Sequence, residues 1–161
     1  MKNPSRLFIK LRVLLFILSF PLCSKVFPQN EHIMDSLKNA VAITKYDTNK
    51  VKLLIEIGEL NNNIPDTLLY YYQKALEIAE NIEEKKFMAQ CLIAIGANLS
   101  NIGSNDKAME YIEEALKISE EINDKRKITS CYVNIGVINH DQGSYDIAIE
   151  YYHKALETAK K

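Results

Sequence analysis

The chain has 161 residues, of which 47% are apolar and 25% charged, and its formal net charge is −1. This apolar content is sufficient for a folded domain and excludes a disordered or collagen-like chain. Residues 1–29 carry five Lys or Arg and no acid, so 15 basic and 21 acidic residues remain from residue 30 onward, a net charge of −6. An acidic domain lacks the basic stripe that binds nucleic acid or an anionic membrane surface, and we expect neither as a partner.

Residues 1–29 predict a secretory signal peptide. The basic stretch 1–12 precedes a ten-residue apolar segment, 13–22, which only Ser19 and Pro21 interrupt. This segment is shorter than the roughly 20 residues that span a bilayer, and its basic flank is typical of a leader. We therefore expect an exported protein of the bacterial periplasm or cell envelope, cleaved between residues 23 and 30. The alternative is an uncleaved membrane anchor.

Residues 30–48 predict a lead-in helix. Apolar or small side chains recur there at helical spacing, namely Ile33, Leu37, Ala40, Val41 and Thr44. We expect this helix to cover the open flank of the repeats that follow, since a terminal helical unit otherwise exposes an apolar face to water.

The rest of the chain repeats with a period of forty residues. The stretch 103–116 reappears as 143–156, and residues 86–121 match residues 126–161 at 11 of 36 positions. Two periods apart, residues 71–79 and 151–159 agree at seven of nine positions. A fixed period of this length predicts stacked structural units rather than one core.

The unit resembles the tetratricopeptide repeat (TPR), a pair of antiparallel helices with small residues at their crossing. The family order of large, large, Gly, large, small, aromatic and small residues is matched by Leu92, Ile95, Gly96, Leu99, Ala108, Ile112 and Ala115, then by Tyr132, Ile135, Gly136, Asn139, Ala148, Tyr152 and Ala155, and earlier by Leu54, Ile57, Gly58, Asn61, Leu68, Tyr72 and Ala75. Asn61, Asn139 and Leu68 depart from the pattern. The resemblance implies an all-α superhelix, or solenoid, of about three hairpins, at 49–83, 84–123 and 124–161.

The turns carry helix-stop and helix-start residues. Gly103 and Gly143 suit the left-handed conformation that ends a helix, and Ser104 and Ser144 follow them as candidate N-caps. In the first hairpin, Pro65 suits the first turn of the second helix.

No constellation of residues predicts catalysis, a cofactor or a metal. The three histidines are far apart and lack the i+3 or i+4 spacing of a zinc face, and no Gly-rich loop could cradle a phosphate. We therefore do not expect an enzyme.

Cys91 and Cys131 occupy equivalent positions on neighbouring first helices, whose axes we expect to lie about 8–10 Å apart. This separation favours two buried thiols over a strained disulfide.

The resemblance also implies a binding groove, because the first helices of such hairpins line a concave face that holds extended or helical segments of partner proteins. Carried over by position, the groove residues are Ile55, Glu59, Gln90, Ile93, Ala97, Asn101, Ser130, Val133, Asn134, Val137 and His140. Asn134 matches a family position beside the ligand backbone. Apolar residues fill the sites of the family's carboxylate clamp, so we do not expect that clamp. The alternative is that some of these residues pack against chain beyond Lys161.

The last hairpin leaves Tyr152 and Leu156 without a following helix, so either further chain, a partner or a second copy would cover them.

The leader, lead-in helix and forty-residue repeats together also resemble the exported N-terminal region of bacterial TPR-containing sensor kinases and helix-turn-helix regulators. Two functions are therefore expected: an exported adaptor that binds a protein or peptide, or the sensing part of a membrane-bound receptor. A cytoplasmic repeat regulator is the third alternative.

Overall fold

The computed structural model describes residues 27–45 and 47–160, so the predicted signal segment up to residue 26 lies outside the described residues. Seven helices and no strand occur in this part of the chain, which confirms the all-α prediction. They are α1 (Phe27–Ile43), α2 (Asp47–Leu60), α3 (Pro65–Asn81), α4 (Lys85–Asn101), α5 (Asn105–Glu121), α6 (Lys125–Asp141) and α7 (Tyr145–Ala159).

From residue 40 onward the chain forms one compact unit. Within it, α2 pairs with α3, α4 with α5 and α6 with α7, and each hairpin packs against the next through α3–α4 and α5–α6. The predicted solenoid of three helical hairpins is therefore confirmed. The preceding helix α1 overlaps the predicted lead-in segment, and its last-turn residue Val41 packs against the core of the first hairpin.

The helix starts follow one another at twenty-residue intervals from Pro65 onward, so each forty-residue period consists of two equal helix-and-turn units. The four turns between α3 and α7 each contain one residue with positive φ: Glu83 at 55°, Gly103 at 80°, Asn123 at 52° and Gly143 at 78°. In each of these turns, the N–H of the residue after the positive-φ residue donates a hydrogen bond to a carbonyl of the preceding helix. Ser104 N–H, for example, donates to the Leu99 carbonyl at 2.8 Å. This is the Schellman arrangement, and it satisfies carbonyls that a helix end leaves unpaired.

The predicted N-caps are only partly right. Ser104 and Ser144 do occupy the N-cap positions of α5 and α7, but neither hydroxyl makes a capping hydrogen bond. At the start of α6, by contrast, the Asp124 carboxylate accepts hydrogen bonds from Lys127 N–H at 3.2 Å and Lys127 Nζ at 2.9 Å. The side-chain hydrogen bond from Lys127 is the main reason that the pKa of Asp124 lies below its usual value.

The glycines at the helix crossings lie directly under a large side chain of the second helix. A Cβ on Gly58 would lie 2.6 Å from the Tyr72 ring, one on Gly96 2.7 Å from Ile112, and one on Gly136 2.5 Å from the Tyr152 ring. Ala108 and Ala148 beside these crossings are also buried. Close approach of the helix axes therefore depends on small residues, as the repeat pattern predicts.

The departures from the repeat pattern have local explanations. The Asn61 and Asn139 amides each donate to the carbonyl four residues earlier, Ile57 at 2.7 Å and Ile135 at 2.8 Å. Each side chain thus satisfies a donor without needing a partner on another helix. Leu68, which stands at a small-residue position, is buried in the first hairpin's core.

Two apolar clusters connect the hairpins, and each contains one of the predicted thiols. Cys91 lies with Ala75 and Ala79 in the first cluster, and Cys131 lies with Ala115 in the second. Both cysteines are free and buried, which confirms the prediction of thiols. Burial raises the pKa of each thiol to about 12, because the charged thiolate would lose its hydration.

Candidate binding groove

The first helices of the second and third hairpins, α4 and α6, contact each other directly. Their buried side chains point into the hairpin cores, and one side of each helix remains accessible. We call this accessible side the inner face, made by Gln90, Ile93, Ala97, Asn101, Ser130, Val133, Asn134, Val137 and His140. On α4 these residues are spaced three or four apart. On α6 Val133 and Asn134 are adjacent and the other residues lie at intervals of three or four, so both sets stay on one side of their helix.

The centre of the inner face is apolar. Val133 is 41% exposed, and Ile93, Ala97 and Val137 are half-buried. Each side chain therefore has one surface fixed against the protein and one surface available to a partner. Burial of such area is the main source of affinity in a protein–peptide contact.

One predicted groove residue belongs to the core instead. Ile55 of α2 is only 5% exposed and lies in the first apolar cluster with Val51 and Leu54. It occupies the repeat position of Ile93 and Val133, but this cluster encloses its side chain. Glu59, also on α2, is exposed. Of the two groove residues predicted on α2, only the polar Glu59 is therefore accessible. The accessible apolar surface lies on α4 and α6.

Two polar residues of the inner face bond to their own helix. The Asn134 amide donates to the Ser130 carbonyl at 2.8 Å, and the Ser130 hydroxyl donates to the Arg126 carbonyl at 3.1 Å. A side-chain amide offers two donors and a carbonyl acceptor, so one bond leaves Asn134 with capacity for a ligand backbone. The bond to Ser130 also fixes the orientation of the Asn134 amide.

His140 lies at the end of the inner face, where α6 turns into α7. Its Nδ1 lies 3.3 Å from an Asp141 carboxylate oxygen, and its ring packs edge-on against Tyr145 with a centroid distance of 5.3 Å. The imidazole is 60% exposed. This end of the face is therefore polar and accessible.

The opposite end carries cations that the sequence reasoning missed. Lys86 and Arg126 lie one helical turn before Gln90 and Ser130, on the same stripe, and both are exposed. They border an open cleft of 710 Å³ between two equivalent turns, lined by residues 83–86 and 122–126. The signal in the sequence was the pair of basic residues that begins both α4 and α6.

No group of three His, Cys, Asp or Glu within 27–45 and 47–160 could hold a metal ion. Among the helices of this part of the chain, none has the length and apolarity to cross a membrane.

Asn98 is a polar residue that the sequence reasoning did not single out: it is 5% exposed, and its side-chain oxygen has no hydrogen-bond partner in the structure.

Two segments of the chain, 89–122 and 128–161, match family models described as tetratricopeptide repeat. The structure of the TPR domain of Arabidopsis FLU is similar, with a TM-score of 0.65 and 20% identity, over 71% of this chain and 98% of that one. A crystal structure of MamA aligns with a TM-score of 0.38 and 19% identity, over 84% of this chain and 92% of that one. No curated protein matches the chain. At this identity the likeness to FLU establishes a common fold.

Proposed function

Because the chain contains tetratricopeptide repeats, we propose that it is a non-catalytic scaffold whose inner face binds a segment of a partner protein. The observation that carries the proposal is the accessible apolar centre formed by Ile93, Val133 and Val137 on two helices in direct contact. An apolar strip bordered by polar groups fits the apolar side of a helix or an extended segment.

The charges at the two ends of the inner face indicate how the segment is oriented. Lys86 and Arg126 lie at one end, and Asp141 lies beside His140 at the other. A bound segment with acidic residues next to the first pair and a basic residue next to Asp141 would complement both. Such complementarity contributes to orientation and association rate more than to affinity.

The test is selection of peptides from a displayed random library by the purified protein. We expect the selected peptides to share apolar residues at helical or alternating spacing with acidic residues on one side. Their binding should weaken at least about tenfold in Val133→Asp and Val137→Asp, because a charge would then be buried in the contact.

The matched control is Ile147→Asp, which introduces the same charge on α7, outside the inner face, where Ile147 is 47% exposed. Circular dichroism verifies that all three variants keep their helicity. Peptides that bind Val133→Asp as tightly as the unmodified protein, or a library that yields no common pattern, would contradict the proposal.

We also propose that the protein is exported, on the basis of the leader-like residues 1–29. Expression with a C-terminal tag, followed by fractionation and intact-mass measurement, tests this: a periplasmic product shortened to a start between residues 23 and 30 is expected. Full-length protein in the cytosol would exclude export.

The sensory role is a finer proposal, supported by the resemblance of the leader, lead-in helix and repeats to the front of membrane-bound receptors. The reading frame after codon 161 tests it. An open frame that continues into a second apolar helix and a kinase or DNA-binding domain is expected for a receptor, and an immediate stop is expected for an adaptor.

A further inference from the structure

Two equivalent helix contacts connect the three hairpins. We call the contact of α3 with α4 the first joint and the contact of α5 with α6 the second joint, and the two are similar in extent. Cys91 and Ile95 of α4 are buried in the first joint, and their counterparts forty residues later, Cys131 and Ile135 of α6, are buried in the second. The two joints can therefore be compared position by position.

One position of the first joint is polar where the second is apolar. Asn98 follows Ile95 by three residues and Cys91 by seven, so it lies on the same side of α4. It is 5% exposed, and its Oδ1 has no hydrogen-bond partner among the described residues. Its counterpart is Ile138, which is fully buried in the second apolar cluster.

The second joint also buries a polar side chain, but that side chain is satisfied. Ser119 of α5 lies against Cys131, and its hydroxyl donates to the Ala115 carbonyl at 2.6 Å. A buried acceptor without a donor loses its hydration and gains no bond in exchange, so it destabilises the contact that buries it. Asn98 therefore weakens the first joint in a way that has no equivalent in the second.

The second and third hairpins are also connected a second time. Their inner helices, α4 and α6, contact each other directly, whereas α2 and α4, both fully described, have no contact of comparable extent. The first hairpin is thus attached to the rest of the solenoid by one helix contact, and the third hairpin is attached to the second by two. Partial opening of a protein separates the units that share the fewest contacts.

We propose that the first joint is a hinge, at which the hairpin of α2 and α3 opens transiently from the unit formed by α4 to α7. Opening lets water satisfy the Asn98 oxygen, so this residue lowers the free energy of the open state relative to the closed one. Because Glu59 lies exposed on α2, the hinge changes its distance from the apolar centre of the inner face on α4 and α6. The hinge requires no bound partner, so its test is independent of the proposed function.

The two buried thiols report on the two joints separately. The whole expressed protein is treated with N-ethylmaleimide in urea below the unfolding midpoint, and mass spectrometry of its peptides gives the rate of labelling at each cysteine. Cys91 should be labelled at least about tenfold faster than Cys131, because the first joint opens without global unfolding. Equal rates at the two thiols would overturn the proposal.

Exchanging the matched residues tests the cause. Asn98→Ile gives the first joint the residue of the second, and it should slow the labelling of Cys91 at least about tenfold while leaving that of Cys131 within about twofold. Ile138→Asn should have the opposite selectivity and speed the labelling of Cys131. Equal slowing of both thiols by Asn98→Ile would indicate a gain in global stability alone and would contradict the hinge.

Hydrogen exchange supplies a measurement that uses neither thiol. Amides of α2 and α3 should exchange more slowly in Asn98→Ile than in the unmodified protein, and amides of α6 and α7 should be unchanged. Asn98→Leu, which is closer in shape to asparagine, should give the same result if isoleucine strains the joint. Unchanged exchange of α2 and α3 in both variants would exclude Asn98 as the cause of opening.

Discussion

Replacing Gly58 or Gly136 by alanine tests the account of the helix crossings, because the rings that the new Cβ would meet differ in exposure. In both, the new Cβ would meet a tyrosine ring, 2.6 Å away for Tyr72 and 2.5 Å away for Tyr152. Tyr72 is 5% exposed and Tyr152 is 38% exposed. The Tyr152 ring can move outward into solvent, whereas the Tyr72 ring is enclosed by the first apolar cluster.

The expected free energies follow from two opposing contributions. Overpacking a core costs about 1–3 kcal/mol, and removing glycine from a helix interior regains about 0.5–1 kcal/mol. Gly58→Ala should therefore lower the free energy of unfolding by about 1–2 kcal/mol, since Tyr72 cannot yield. Gly136→Ala should leave it unchanged or raise it by up to about 1 kcal/mol, since the movement of Tyr152 avoids the overpacking.

Urea denaturation followed by far-ultraviolet circular dichroism measures the difference. Gly103→Ala is the control for backbone strain, because φ there is +80° and nothing lies within 4 Å of the new Cβ. If Gly58→Ala and Gly136→Ala change the midpoint equally, ring exposure does not govern the cost, and the reasoning is refuted.

Two further predictions follow from the pKa shifts. Cys91 and Cys131, whose thiol pKa is raised to about 12 by burial, should be unreactive toward Ellman's reagent at pH 8 in the folded protein and react once it is unfolded. The assay uses a Cys23→Ser variant so that it measures these two thiols alone, and their rapid reaction in the folded protein would show that the clusters open. The pKa of Asp124 is lowered by its hydrogen bond from Lys127, so its contribution to stability is present above the unfolded pKa of about 3.9 and is lost as the pH falls toward the folded value. Denaturation midpoints should therefore show Asp124→Asn less stable than the unmodified protein at pH 7, and the difference should shrink as the pH falls below about 3.9. A difference that stays constant as the pH falls through this range would contradict the assignment.

The repeat pattern predicted the fold well because each local signal agrees with the others. Gly96 and Gly136 at the crossings, Gly103 and Gly143 at the turns, and Pro65 at a helix start all have the structural role that their residue type predicts. The turns at Glu83 and Asn123 were harder to recognise, because residues other than glycine adopt positive φ there. Their conformation is imposed by the hydrogen bonds that connect consecutive helices.

The candidate site was predicted less completely. A single position of the repeat, occupied by Ile55, Ile93 and Val133, was assigned to the groove in all three hairpins. In the structure it is buried in α2, half-buried in α4 and 41% exposed in α6. The side chains are nearly the same, so their chemistry could not reveal the difference.

The sequence by itself determined the helices, their forty-residue repeat and the pairing inside each hairpin, because these depend on residue type and on neighbours close along the chain. Only the tertiary structure decided which apolar positions remain accessible, as Tyr72 and Tyr152 illustrate: the same residue at the same repeat position is buried in one hairpin and exposed in another. The physical reason is that exposure depends on the element packed against a residue, and that element is contributed by a neighbouring repeat.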